Sequence, residues 1–193
     1  MDSFTMPYPR YGLSAAVETA EADMWEWADR HRLITSPAMR EQLARARPYR
    51  TTALYYPCAD GRRLQAPNRY MALAFLIDDV HDDAILAHDV AAVSESYEEL
   101  AGVAGGVREP SSAAGRALKA VLEELSEGRS ARWREVLGEV NVRWLETYVV
   151  EARGARRRNV HAVQPVRVAQ AVRRGRAALL ASGRVRARHR AAG

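Results

Sequence analysis

Six uncharged residues, Ala72-Leu73-Ala74-Phe75-Leu76-Ile77, run without a break into Asp78-Asp79-Val80-His81-Asp82-Asp83. A helix with no charge over such a stretch has no solvated face there. It must be buried, and the aspartates then stand where it leaves the core. Asp78 and Asp82 are i,i+4 neighbours, and Asp79 and Asp83 repeat that spacing, so the carboxylates gather on one side of the helix. Their mutual repulsion costs about 0.2–0.5 kcal/mol per pair, and desolvation against an apolar wall costs more. A divalent cation removes both penalties. Donors that are all oxygen select a hard ion, Mg2+, over zinc or copper. A solvated acidic helix end is the plainer reading of any acidic cluster. The apolar approach argues against it here. His81 is either a fifth ligand or a hydrogen-bonding or surface group.

Apolar periodicity along the rest of the chain is helical, and no segment alternates with a period of two for long enough to make a sheet. The spacing predicts helices over about 14–33, capped by Ser14, and from Ser36-Pro37 to before Pro48. Residues 49–57 read as a short helix or an extended connector, and Asp60-Gly61 as a turn. The aspartate helix is expected from near Pro67 to about Leu86. Others follow at about 90–100, 112–126 and 130–152, the last with Trp133, Val136, Leu137, Val140, Trp144, Tyr148 and Val149 spaced as a core stripe. Gly102-Val103-Ala104-Gly105-Gly106 reads as a linker; it lacks the Gly-Lys-Ser/Thr ending of a phosphate loop and follows no strand. The fold class is all-α, an antiparallel helical bundle.

The net charge of +5 averages two unlike regions. Eleven of the 29 basic side chains lie beyond Arg153 with no acidic residue among them, which leaves eighteen against 24 acidic ones in residues 1–153. Ala, Arg, Gly and Val make up 31 of the last 40 residues. Such a stretch buries little apolar surface and repels itself, so residues 154–193 are expected to be disordered or weakly helical and outside the fold. Basic tails of this kind contact nucleic acid or anionic lipid, but this one has no aromatic residue on which bases would stack. The single cysteine, Cys58, excludes a disulfide framework. With no apolar run long enough for a membrane and no basic-then-apolar leader, the expectation is a soluble cytoplasmic protein.

The Asp-Asp-x-x-Asp run at the end of an apolar helix resembles the first metal motif of class I terpene cyclases, specifically the bacterial sesquiterpene-type synthases. Phe4-Thr5-Met6-Pro7, Trp25-Glu26-Trp27 and Leu54-Tyr55-Tyr56-Pro57-Cys58-Ala59 are similar to that family's leading segments, in the same order. The aspartate motif is shared with prenyl chain-elongating synthases, a further reading; the Tyr-Tyr-Pro-x-Ala stretch favours the cyclases. The resemblance covers residues 4–153.

It implies a bundle of helices around a deep apolar cavity with the aspartates at its rim, and Mg2+-triggered ionisation and cyclisation of an isoprenyl diphosphate, farnesyl diphosphate above all. Asp78 and Asp82 would be direct metal ligands, with Asp79 and Asp83 orienting waters or serving as alternates. Phe75, and after it Tyr56, would line the substrate pocket, and Arg173 or Arg174 would sense the diphosphate. The family's second metal motif, Asn or Asp, then Ser or Thr, then Glu at four-residue steps, is missing: after Asn141 the corresponding places hold Leu145 and Val149. The Arg- and Ala-rich end has the composition of a GC-rich gene read out of frame. The expectation is therefore a truncated or frame-shifted cyclase of low or no activity. The alternative is a helical binding protein whose basic tail contacts nucleic acid or anionic lipid.

Overall fold

The computed structural model describes residues 12–86 and 89–158, and every regular element among them is an α-helix. The helices are α1 (Val17–Arg30), α2 (Pro37–Ala46), α3 (Pro48–Tyr55), α4 (Gly61–Leu86), α5 (Val90–Ala104), α6 (Ala113–Ser126) and α7 (Ala131–Arg158). The chain divides into two compact units, Met1–Ala72 and Leu73–Gly193.

In the first unit α1 packs on α3. Ala20, Ala53 and Leu64 are its buried centre, with Leu13, Val17, Tyr49 and Tyr56 packed around them. Ser14 makes no cap bond to α1 itself; its Oγ accepts from the Ala16 N–H at 3.1 Å, in the turn that precedes the helix. Its hydroxyl donates to the Ala59 carbonyl at 2.7 Å and its N–H to the Ala53 carbonyl at 3.2 Å, so the residue ties distant segments together and the helix opens at Val17. Ser36 does cap α2, accepting from the Met39 N–H at 3.2 Å. Arg47, with φ 49°, turns the chain between α2 and α3, and Pro48 then starts α3 with its φ already helical.

Helix α4 starts six residues before Pro67, at Gly61, which corrects the sequence-based boundary. Asp60 is the reason: its carboxylate accepts from the Arg63 N–H at 2.8 Å, so what reads as a turn is a helix cap. Pro67 lies inside the helix and cannot donate to Arg63, a defect worth about 3 kcal/mol in an unsupported helix. Burial on both sides offsets it. Leu64 and Asn68 are fully buried, and the Asn68 amide donates to the Ala20 carbonyl at 2.7 Å. One residue on, Arg69 grips Asp23 through Nε at 2.9 Å and Nη2 at 2.5 Å.

The second unit holds the rest of α4 with α5, α6 and α7. Helix α5 runs antiparallel along α7, since Tyr97 stacks on Tyr148 while Ala104 meets Gly138. Leu73, Leu76, Ile77, Val93, Leu100, Leu118, Val121 and Leu145 are buried. Of the α7 stripe Tyr148 is buried and the other six positions are half-buried, while the fully buried Asn141 and Leu145 lie beside it. Helix α5 continues four residues past Leu100, so Gly102 is helical and the expected linker shrinks to a turn in which Gly106 takes φ 70°. Beyond it, the Glu99 carboxylate accepts from the N–H groups of Ser111 and Ser112 at 2.6 and 2.7 Å. Ser112 caps α6. Helix α7 runs to Arg158, about six residues past its expected end near 152. The remainder of the Arg-rich stretch lies outside the described residues.

Candidate functional site

The acidic end of α4 is set by the register of its buried face. Leu76, Ile77 and His81 point inward, which leaves Asp78 and Asp79 half-buried and turns Val80, Asp82 and Asp83 out to solvent. Asp78 and Asp82 share a face one turn apart, at the boundary between core and water.

Helices α5 and α7 build an aromatic wall against this end. The Tyr148 hydroxyl donates to Asp78 Oδ1 at 2.9 Å, and the Tyr97 hydroxyl donates to the Ile77 carbonyl at 3.3 Å. The two phenol rings stack at 4.7 Å with an interplanar angle of 15°. His81, only 2% exposed, presents its ring edge-on to both, 4.4 Å from Tyr148 and 5.2 Å from Tyr97. Trp144 closes against Tyr148 at 5.7 Å. His81 is therefore a packed core group of this wall and not a surface residue.

Electrostatics follow from that burial. Desolvation holds the Asp78 carboxyl above the usual carboxylate range; the Tyr148 hydrogen bond opposes the shift, and the nearby negative charge of Glu151 adds to it. Burial likewise pushes the phenols of Tyr97 and Tyr148 up, reinforced by the charge of Asp78. Both are O–H donors at neutral pH. Glu151, one turn beyond Tyr148, thus brings another carboxylate near Asp78.

Among the described residues no three His, Cys, Asp or Glu side chains converge on one point. A hard divalent cation that keeps most of its waters needs only one or two carboxylates from the protein. Two oxygen-donor side chains one turn apart, one of them open to water, fit such an ion.

Phe75 lies half-buried on α4, one turn before the aspartates. Tyr56 belongs to the first unit, where it packs on the Ala20, Ala53 and Leu64 cluster and burial raises its phenol pKa. Arg173, Arg174 and the Phe4–Pro7 segment lie outside the described residues. The sequence reading missed Tyr97 and Glu151 and took Tyr148 for plain core; helical spacing marks all three faces but says nothing of which distant side chain each meets.

Residues 69–173 match the family "Terpene synthase family 2, C-terminal metal binding", and the chain belongs to that family. The chain is 31% identical over 153 residues to the (2Z,6E)-hedycaryol synthase of Kitasatospora setae, covering 77% of this chain and 44% of that one. It is 34% identical over 92 residues to the (-)-delta-cadinene synthase of Streptomyces clavuligerus, covering 48% of this chain and 28% of that one. The hedycaryol synthase structure in complex with nerolidol aligns with a TM-score of 0.66 at 28% identity, over 84% of this chain and 50% of that one. The germacradien-4-ol synthase of Streptomyces citricolor shares the fold, with a TM-score of 0.69 at 23% identity over 79% of this chain and 51% of that one. The chain spans about half the length or less of these relatives. No helix among the described residues is long and apolar enough to cross a membrane.

Proposed function

We propose that this chain is a terpene synthase that ionises and cyclises an isoprenyl diphosphate, farnesyl diphosphate, with Mg2+. The observation that carries the reading is the placement of Asp78 and Asp82, one turn apart where a buried helix meets water, inside the segment that matches a metal-binding terpene synthase family. The names of its relatives, sesquiterpene synthases, support the fifteen-carbon substrate class.

Asp78 and Asp82 would hold the cation, and Asp79 and Asp83 would orient its waters. A Mg2+ ion held by these carboxylates would supply the charge neutralisation that makes the diphosphate a competent leaving group. Asp78 is held from behind by Tyr148, so its carboxylate meets the ion already oriented. Phe75, half-buried a turn earlier, offers a π face to the allylic cation released on ionisation. The apolar residues preceding Asp78 exclude the water that would quench it. We assign diphosphate sensing to Arg173 or Arg174, at the end of the family match, and place the protein in the cytoplasm.

The test is incubation of the full chain with farnesyl diphosphate and Mg2+, followed by gas chromatography and mass spectrometry of the extract. A sesquiterpene or sesquiterpene alcohol that disappears with chelator and in Asp78→Ala/Asp82→Ala is the expected result. Turnover indifferent to both would overturn the reading.

A further inference from the structure

We infer that Tyr148 is a positioning residue that fixes the Asp78 carboxylate for cation binding, with the Tyr97 and His81 rings as its rigid backing. The inference rests on the metal reading of Asp78 and adds to it a residue from another helix, seventy positions away.

An aspartate on a helix end can rotate about two side-chain torsions, and a ligand that must be ordered on binding loses affinity to that ordering. One neutral O–H donor on Oδ1, at 2.9 Å, restricts the rotation while occupying a single one of about four acceptor positions of a carboxylate. The donor itself has little freedom. Tyr148 is 4% exposed, stacked face to face on Tyr97 at 4.7 Å, met edge-on by His81 at 4.4 Å and closed in by Trp144 at 5.7 Å. Tyr97 is anchored in turn, its hydroxyl on the carbonyl of Ile77, the residue next to Asp78. Two phenols from two helices therefore tie down consecutive residues of α4, one by its backbone and one by its carboxylate. Hydrogen-bond partners behind metal ligands of this kind are worth about 10–100-fold in metal affinity.

The experiment measures Mn2+ affinity of the full chain by electron paramagnetic resonance, with inorganic pyrophosphate present, for wild type, Tyr148→Phe, Tyr97→Phe and Asp78→Ala. Tyr148→Phe keeps the ring stack and loses the hydroxyl, with its hydrogen bonds to Asp78 and to Trp144. Tyr97→Phe removes a hydroxyl of similar burial from the same stack and reports general loosening. A loss of Mn2+ affinity in Tyr148→Phe about tenfold larger than in Tyr97→Phe supports the inference. Equal losses in the two variants, or wild-type affinity in Tyr148→Phe beside a deficient Asp78→Ala, overturn it and leave the metal reading standing. Wild-type affinity in Asp78→Ala, or no Mn2+ binding by the wild type, overturns both. Circular dichroism melts without metal accompany each variant, and an affinity loss that tracks a fall in Tm counts against positioning.

Discussion

Gly138 of α7 lies so close to α5 that a Cβ added to it would stand 2.9 Å from the carbonyl oxygen of Ala104. The obstacle is backbone, which cannot swing aside. A single methyl at this point must therefore push the two helices apart or bend one of them. Gly138→Ala is expected to cost about 1–3 kcal/mol, the range for overpacking a tight contact. Urea unfolding followed by circular dichroism measures it, and an unchanged midpoint would show the helices free to separate.

Glu99 holds the turn after α5 to the start of α6. Burial, the largest single influence, raises its pKa, but the hydrogen bonds from Ser111 and Ser112 together outweigh it and leave the carboxyl below its ordinary value. A group whose folded pKa is depressed contributes stability above its unfolded pKa and loses it as pH falls through the folded one. The contribution is thus complete above the ordinary glutamate value of about 4.3 and fades below it. Glu99→Gln is expected to flatten the fall in Tm on acidification below that point. Parallel melting curves for variant and wild type across the same range would refute this account.

The Arg69–Asp23 pair is 15% and 11% exposed at its side chains and bonded through two nitrogens. Removing the cation alone strands a nearly buried carboxylate. Arg69→Ala is expected to destabilise the chain by about 3–5 kcal/mol, whereas replacing both partners by apolar residues of similar size is expected to cost far less. Chemical denaturation of the single and double variants measures the difference, and equal losses would contradict it.

At the acidic end of α4, Asp78 and Asp83 differ in exposure and in partners. Asp78 is half-buried and bonded to Tyr148, and Asp83 is open to solvent. Asp78→Ala is expected to lower the rate of product formation from farnesyl diphosphate by about 10²-fold or more, the scale of losing a group that stabilises a leaving charge. Asp83→Ala is expected to lower it less, by about tenfold, the low end for a group that orients a metal's waters. Steady-state kinetics at varied Mg2+ reads both, and a larger loss for Asp83 would reverse the assignment.

Much of this was legible in the residues. The periodicity of the apolar positions, Ser36 as a cap, and the run from Ala72 to Asp83 carry the all-α class and the acidic helix end, because each is a matter of neighbours three or four residues apart. Where the reading slipped, a local signal was overridden. Pro67 and Gly102 look like breaks, yet both sit inside helices, since Leu64 and Asn68 around the first and Leu100 and Val103 around the second are buried.

What the chain's own text determined is the set of helices, their apolar faces and the carboxylates at the end of one of them. That Tyr148 meets Asp78, that Tyr97 stacks behind it, and that Gly138 meets the Ala104 carbonyl were decided by tertiary structure alone. Spacing along a helix sets which way a side chain faces, but its partner depends on how far α5 and α7 slide past each other before their side chains interlock, and no local pattern encodes that distance.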